Sequence, residues 1–281
     1  ADATAAPAPP SGSDADAGVG ADPAAEAEPA LALAWTALTP RPTADALLAV
    51  GAATDWDSFR AAAASFSVPG QNLVYADRQG HIGYQATGGV RGRRSGNAGP
   101  APAEGWRPDD DWAGERVPFA GLPQVLDPDE GFVVSANQAP VGADYPFLLG
   151  QDWDHGYRSE RIRRLLEQRI AEGTVSADDM LALQRDEESL LAPVLVPHLL
   201  AVDLPAGYAS DGQRLLAGWD FEQDADSAAA AYFNVVWRNL LALTFHDELP
   251  ESVWPDGGDR WDAVPPGLLD PPHAPWWDDV T

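Results

Sequence analysis

The chain has 281 residues, a net charge of −27 and no cysteine, and all 17 of its basic residues are arginine. A surface this acidic argues against nucleic acid as a partner, and the lack of cysteine excludes disulfides, thiolate nucleophiles and cysteine-ligated metals. With 45% hydrophobic residues and 11 Trp the chain can bury a sizeable core, yet no apolar run approaches the ~20 residues of a membrane span.

Residues 1–30 are built from Ala, Pro, Asp, Gly and Ser and bury too little to offset chain entropy, so they read as a disordered acidic linker or insertion. No signal peptide is recognisable, and a start at Ala1 reads as a processed or excised piece. The run Leu31 to Leu38 alternates like a strand. Thr43 to Val50 predicts a helix capped by Thr43, and Asp55 to Phe66 a second with Trp56, Phe59 and Ala63 on one face. Two β-prone runs, 69–77 and 81–88, flank Arg78-Gln79-Gly80 and predict a hairpin, with His81 exposed beyond its turn. Gly88 to Asp111 reads as a long surface loop. Its Arg91, Arg93 and Arg94 suit pairing with nearby carboxylates or the steering of an anion. Trp112 to Pro123 is aromatic, irregular and punctuated by proline.

Gly131 to Pro140 predicts a short buried strand that delivers Asn137 at its end. On spacing alone, Asn137 caps a turn before Pro140. A carboxamide held at a strand end can also donate to a developing alkoxide, as one half of an oxyanion hole. Tyr157 to Gln168 opens a helix with Ile162, Leu165, Leu166 and Ile170 as its apolar stripe, and Arg158 at its mouth needs a carboxylate or carbonyl partner. Ser176 to Asp179 predicts a capping box opening a helix through Asp186; further helices are expected over Leu190 to Ala201 and from about Asp226 to Phe245. Residues 250–281 alternate Pro, Asp and Trp without periodicity and read as loop or a severed end.

Taken in order, Trp35-Thr36, Pro69-Gly70-Gln71-Asn72, Tyr75-Ala76-Asp77, Gly80-x-Ile82-Gly83-Tyr84, Trp112-x-Gly114, Pro118-Phe119-x-x-Leu122-Pro123, Ala136-Asn137, Tyr157-Arg158-x-x-Arg161-Ile162, Gln184-x-Asp186 and Leu216-Ala217-x-Trp219-Asp220 resemble the penicillin acylase family of N-terminal-nucleophile amidohydrolases. The resemblance runs from about Leu33 to Leu243. It implies an α+β chain that is part of a four-layer αββα fold, with strands to about 140 and helices after about Arg158 within a core segment 31–249. It also implies a secreted or periplasmic precursor cut into two chains, acting on a linear amide such as a β-lactam side chain or an acyl-homoserine lactone. An N-terminal Ser, activated by its own amine, would form the acyl-enzyme. By this resemblance Asn137 is the oxyanion donor and Arg158 supports the active-site geometry.

The chain departs from the family pattern in beginning Ala1-Asp2-Ala3 and in containing no Ser-Asn dipeptide. The nucleophile is therefore expected on a part of the protein outside this chain. The chain alone is expected to be inactive, its partners being an acyl-amide substrate, a companion chain and the rest of the nucleophile chain. No cofactor is expected in it; some members of the family bind a structural calcium, which leaves calcium open for the complete protein, chiefly through carboxylates elsewhere. The alternatives are a binding scaffold that kept the fold and lost the nucleophile, and an acidic binding protein whose Trp residues line a carbohydrate or peptide groove.

Overall fold

A computed structural model describes residues 30–94, 99, 101–269 and 275–277. The linker expected over 1–30 thus lies outside the described residues except for Ala30. The chain divides into a unit of residues 1–35 and a unit of residues 36–281. In the first, Leu31 and Leu33 are exposed and form no strand. The alternation expected there has no neighbouring strand to pair with, and its continuation, Thr36–Leu38, is a 3-10 turn.

In the second unit, α1 (Thr43–Gly51) and α2 (Trp56–Ala63) pack against each other ahead of the sheet. Thr43 does not cap α1 as expected. Pro42 holds that position, and the Thr43 hydroxyl accepts from the backbone N–H groups of Ser67 and Val68. Asp55 caps α2 through a reciprocal box with Ser58. The expected hairpin forms as β1 (Asn72–Ala76) and β2 (Ile82–Ala86), with Gly80 in the left-handed region and the Asp77 carboxylate accepting from the N–H groups of Gln79 and His81. Trp56 of α2 lies on β2 at Gly83, where a Cβ would come within 2.7 Å of its ring, so only glycine fits. Trp56, Phe59 and Tyr75 close this contact as a cluster of rings 5.1 to 5.6 Å apart.

The expected loop 88–111 and the irregular segment after it both carry strand. β3 (Arg91–Arg93) pairs antiparallel with β4 (Trp112–Arg116), two short runs too polar to announce themselves. β5 (Gln124–Leu126) pairs with β2, giving a three-stranded antiparallel sheet in the order β1-β2-β5. The turn after β5 is fastened to β2 by Asp127, which accepts from the N–H of Ile82 and meets His81 Nδ1 at 2.7 Å.

That pair has a pH signature. The hydrogen bond and then the charge of Asp127 raise the pKa of His81 above its ordinary value, and Asp127 is held below its own, first by the bond to His81. The His81 contribution to stability is complete below an imidazole's ordinary ~6.5 and is lost as pH rises through the raised folded value. The Asp127 contribution is present above the ordinary carboxylate range and is lost as pH falls through its lowered value. Both therefore act between roughly pH 4 and 6.5. A histidine NMR titration should show His81 above 6.5 and Asp127→Asn bringing it down; an unmoved titration in that variant would contradict the pairing.

After β5 the described chain is helical, in keeping with the α+β expectation. α3 (Tyr157–Glu172), α4 (Ala177–Leu183), α5 (Ala192–Leu200), α6 (Tyr208–Leu215), α7 (Ala228–Phe245) and α8 (Asp259–Leu269) follow in order. The Ser176–Asp179 capping box forms as read. The stripe on α3 is narrower than expected: Leu166 is buried, while Ile170 is exposed beyond the edge of the contact. The helical core gathers Leu191, Leu195, Val196, Leu216, Phe233, Trp237, Leu241 and Phe245. The expected C-terminal loop instead supplies α8 and a turn at Pro275–Trp277, and Trp261 and Trp276 both pack on Phe245, with ring centroids 5.0 and 5.3 Å away. No described helix is long and apolar enough to cross a membrane.

Candidate active site

The segment expected as a buried strand around Asn137 is not a strand. Only Phe132 of its apolar run is buried, and the run lacks a neighbouring strand to ladder with. It is shaped by side chains instead. Gln138 accepts from the Ala136 N–H at 2.6 Å and donates to the Val134 carbonyl at 3.0 Å, closing a tight local loop. Arg163 of α3 lies over the Phe132 ring at 5.1 Å and ties the run to the helix.

Asn137 sits in the left-handed region at φ 67°. Asn tolerates this better than other non-glycine residues, and such a conformation persists only where its surroundings fix it. Two contacts do so. The Asn137 carbonyl accepts from the Asp154 N–H at 2.9 Å, and its side-chain Oδ1 accepts from Arg158 Nη2 at 3.0 Å. A guanidinium has donors only, so it can face only the oxygen of the carboxamide. That fixes the amide's orientation and turns Nδ2 the other way. Asn137 is exposed, and its Nδ2 has no protein partner among the described residues.

Arg158 is the second residue of α3, whose N-cap is Gly156, itself left-handed at φ 96°. Of the carboxylate or carbonyl partner expected for it, the structure supplies both, the Asn137 Oδ1 and a carboxylate that sequence reasoning missed. Asp154 has a side chain only 3% exposed and accepts from Arg158 Nε at 3.0 Å, from Arg158 Nη2 at 2.8 Å and from the Gly156 N–H at 2.8 Å. The signal available was its place four residues before Arg158, ahead of the helix. Asp154, Arg158 and Asn137 thus form one relay: a buried carboxylate orients a guanidinium, which orients an exposed carboxamide.

A cavity of about 690 Å³ adjoins this relay, with Asp154 and Gln138 in its wall beside Phe132, Ser135, Tyr84 and Asn72. The Tyr84 hydroxyl donates to Asn72 Oδ1 at 2.6 Å and Asn72 Nδ2 donates to Ser135 Oγ at 2.8 Å, a chain that fastens the sheet to the Asn137 segment. Burial pushes the Tyr84 phenol up to about 12, so it stays protonated and serves as a donor. Three residues further along α3, Arg161 grips Asp186 through two bonds of 2.7 and 2.5 Å and meets Glu188 at 2.8 Å. This joins two sequence motifs singled out separately, Tyr157-Arg158-x-x-Arg161 and Gln184-x-Asp186. Burial, then the charges of Asp186 and Glu188, raise the pKa of Glu222 beside them.

Among the described residues no group of three or more His, Asp or Glu is placed to hold a metal ion.

Residues 14–281 match the family model described as penicillin amidase. The chain is 33% identical over 208 residues to the penicillin acylase 2 proenzyme of Pseudomonas sp. (strain SE83), covering 73% of this chain and 26% of that protein. It is 28% identical over 270 residues to the acyl-homoserine lactone acylase QuiP of Pseudomonas fluorescens, covering 89% of this chain and 32% of that protein. Among solved structures, the thermostable penicillin G acylase of Alcaligenes faecalis matches with a TM-score of 0.57 at 24% identity, over 74% of this chain and 39% of that chain. That likeness shows the fold. The chain spans 26 to 32% of the length of these two curated relatives.

Proposed function

The chain belongs to the penicillin amidase family, and from that premise we propose that it is the oxyanion-stabilising part of a linear-amide hydrolase whose nucleophile lies on a part of the protein outside this chain. The observation that carries this is the Asn137 carboxamide, with its oxygen held by Arg158 and its N–H₂ without a protein partner among the described residues.

The chemistry follows from that geometry. Attack by a Ser hydroxyl on an amide carbonyl converts the carbonyl oxygen to an alkoxide, and a preset N–H donor stabilises that charge more than it stabilises the substrate. Asn137 Nδ2 is such a donor. Arg158 keeps the amide from flipping, and its positive charge on Oδ1 makes the N–H₂ a stronger donor. Asp154 keeps Arg158 in place, so that the guanidinium stays on Asn137 rather than on substrate. The cavity beside Asp154 offers room for part of a substrate, with Phe132 and Val133 as apolar wall and Ser135 and Tyr84 as polar contacts.

Two classes of acyl amide suit this reading, β-lactam side chains and acyl-homoserine lactones, because the relatives are named for both. The name proenzyme on one of them supports a processed precursor, which we place in the periplasm or outside the cell, with the Ser nucleophile exposed by cleavage. On this reading the 281 residues alone do not turn over substrate.

The test uses the mature full-length protein with a phenylacetyl amide and a long-chain acyl-homoserine lactone. Hydrolysis of at least one is expected, with an N-terminal Ser found acylated by mass spectrometry. Asp154→Asn keeps its size but loses charge and acceptor capacity toward Arg158, and should lower kcat about tenfold, the size of one lost charge-assisted hydrogen bond, with KM little changed. Hydrolysis of neither amide would remove the reading, and so would an unaltered kcat in both Asp154→Asn and Arg158→Ala. A scaffold without activity is the second reading; its mark would be a mature protein with no Ser at any N-terminus.

A further inference from the structure

The sheet β1-β2-β5 has two edges, and they are built differently. β5 is three residues long and lies between Pro123 and Asp127, a short strand closed by a proline and a charge. The separate β3–β4 pair is guarded by Arg91, Arg93, Glu115 and Arg116 and by a shift in its register. There Arg91 donates to the Gly114 carbonyl at 2.6 Å and lies over Trp112, so the carboxylate pairing expected for it is not formed among the described residues. Short strands, charges, proline and bulges are the means by which folded proteins keep an open edge from pairing with another strand. β1 has none of them. Asn72-Leu73-Val74-Tyr75-Ala76 is five residues long, uncharged and in unbroken register with β2.

The register also fixes which backbone groups face outward. The Thr87 N–H donates to the Gln71 carbonyl and the Asp77 N–H to the His81 carbonyl, so residues 71, 73, 75 and 77 face β2. The N–H and C=O groups of Asn72, Val74 and Ala76 therefore point away from the sheet, and among the described residues they bond to nothing. Val74, in the middle of this row, is 59% exposed. A row of free donors and acceptors beside an exposed valine suits an added strand, which takes its affinity from the main chain and its register from the side chains.

Two observations bear on what covers the edge. The chain matches 26 and 32% of the length of two curated relatives, whose remaining length has no counterpart in it. The edge also runs into the candidate site, because Asn72 at its start donates from Nδ2 to Ser135 Oγ at 2.8 Å, two residues before Asn137. A strand laid along β1 would meet the Asn137 segment at that end, where the proposed function needs a nucleophile from elsewhere.

We propose that β1 is a docking edge for a strand of the same protein from outside this chain, which extends the sheet and brings the rest of the active site up to Asn137. That this strand leads to the nucleophile rests on the proposed function; the docking itself does not.

The experiment is hydrogen exchange of the mature full-length protein, read residue by residue with mass spectrometry. The amides of Val74 and Ala76 should exchange within about tenfold of the rate of Tyr75, whose N–H bonds inside the sheet. An edge left open would let them exchange about a hundredfold faster or more, and that result would overturn the proposal. The occupant is identified by photocross-linking from Val74→p-benzoylphenylalanine, a change at an exposed side chain. A cross-linked peptide from outside the 281 residues is expected, in a product with the mass of one molecule. A peptide from within these residues, or a cross-linked dimer, would overturn the choice of occupant. Neither measurement depends on turnover. Slow exchange and an outside cross-link in a protein without an N-terminal Ser would keep the docking edge and remove the proposed function, and fast exchange in an active hydrolase would do the reverse.

Discussion

Asn137→Ala in the mature protein is expected to lower kcat by roughly 10² to 10³, about 2.7–4 kcal/mol of transition-state stabilisation. The magnitude is that of one preset oxyanion donor, and the geometry says why it should apply in full. Among the described residues Nδ2 makes no bond that would have to break first, and Arg158 prevents the amide from presenting its oxygen instead. Two effects overlap in this variant. Alanine loses the donor, and it also dislikes the left-handed backbone at φ 67°, at a cost of about 1–2 kcal/mol in local stability. Asn137→Gly separates them, because glycine takes that backbone freely. Both variants should lose the same activity, while only Asn137→Ala should melt early. Turnover retained in Asn137→Gly would assign the residue to backbone shape and remove it from the chemistry.

Phe233→Ala is expected to act in the opposite way, with a large loss of stability and little change in chemistry. Phe233 is 2% exposed at the centre of the helical core and packs against Trp219 at 5.3 Å. Truncating such a residue removes its transfer energy and leaves a cavity that fixed helices cannot fill, about 3–5 kcal/mol together. In a domain of this size each kcal/mol lowers Tm by about 2–4 °C. Thermal melting should therefore fall by about 6–20 °C, while kcat measured well below the melt stays within a few-fold of wild type. The helical core contains no residue of the Asp154, Arg158 and Asn137 relay. A loss below about 1 kcal/mol would mean that the core repacks or that Phe233 is not central to it.

What was legible in the sequence was what is local. The hairpin around Gly80, the Ser176 box and the long helix ending at Phe245 each carry their signal within a few residues. The Asn137 strand was misread because the length and apolarity of a run say that it is buried, not that a neighbouring strand exists to receive its hydrogen bonds. β3 and β4 were missed for the converse reason: pairing across an 18-residue gap makes strands of residues that lack the propensity. In α6 a glycine and in α8 two prolines hid helices that form nonetheless. As for the site, Asn137 and Arg158 were each singled out, but their 3.0 Å bond joins residues 21 apart and depends on Gly156 turning the chain into α3. Asp154 was passed over because its burial is a property of the packed structure.

The Asn137 segment is shaped by side chains, without a ladder of backbone bonds. A strand resists unfolding collectively, since each rung braces the next, whereas this segment hangs on a few separate fastenings: the Asp154–Arg158 pair, the Gln138 loop and Arg163 over Phe132. Loss of any one frees a stretch of chain while the sheet and the helical core stay intact. Heat or mild denaturant would therefore undo the proposed oxyanion donor well before the fold melts, and in the mature protein the working life of any catalysis that uses it would be set by this one loosely moored stretch.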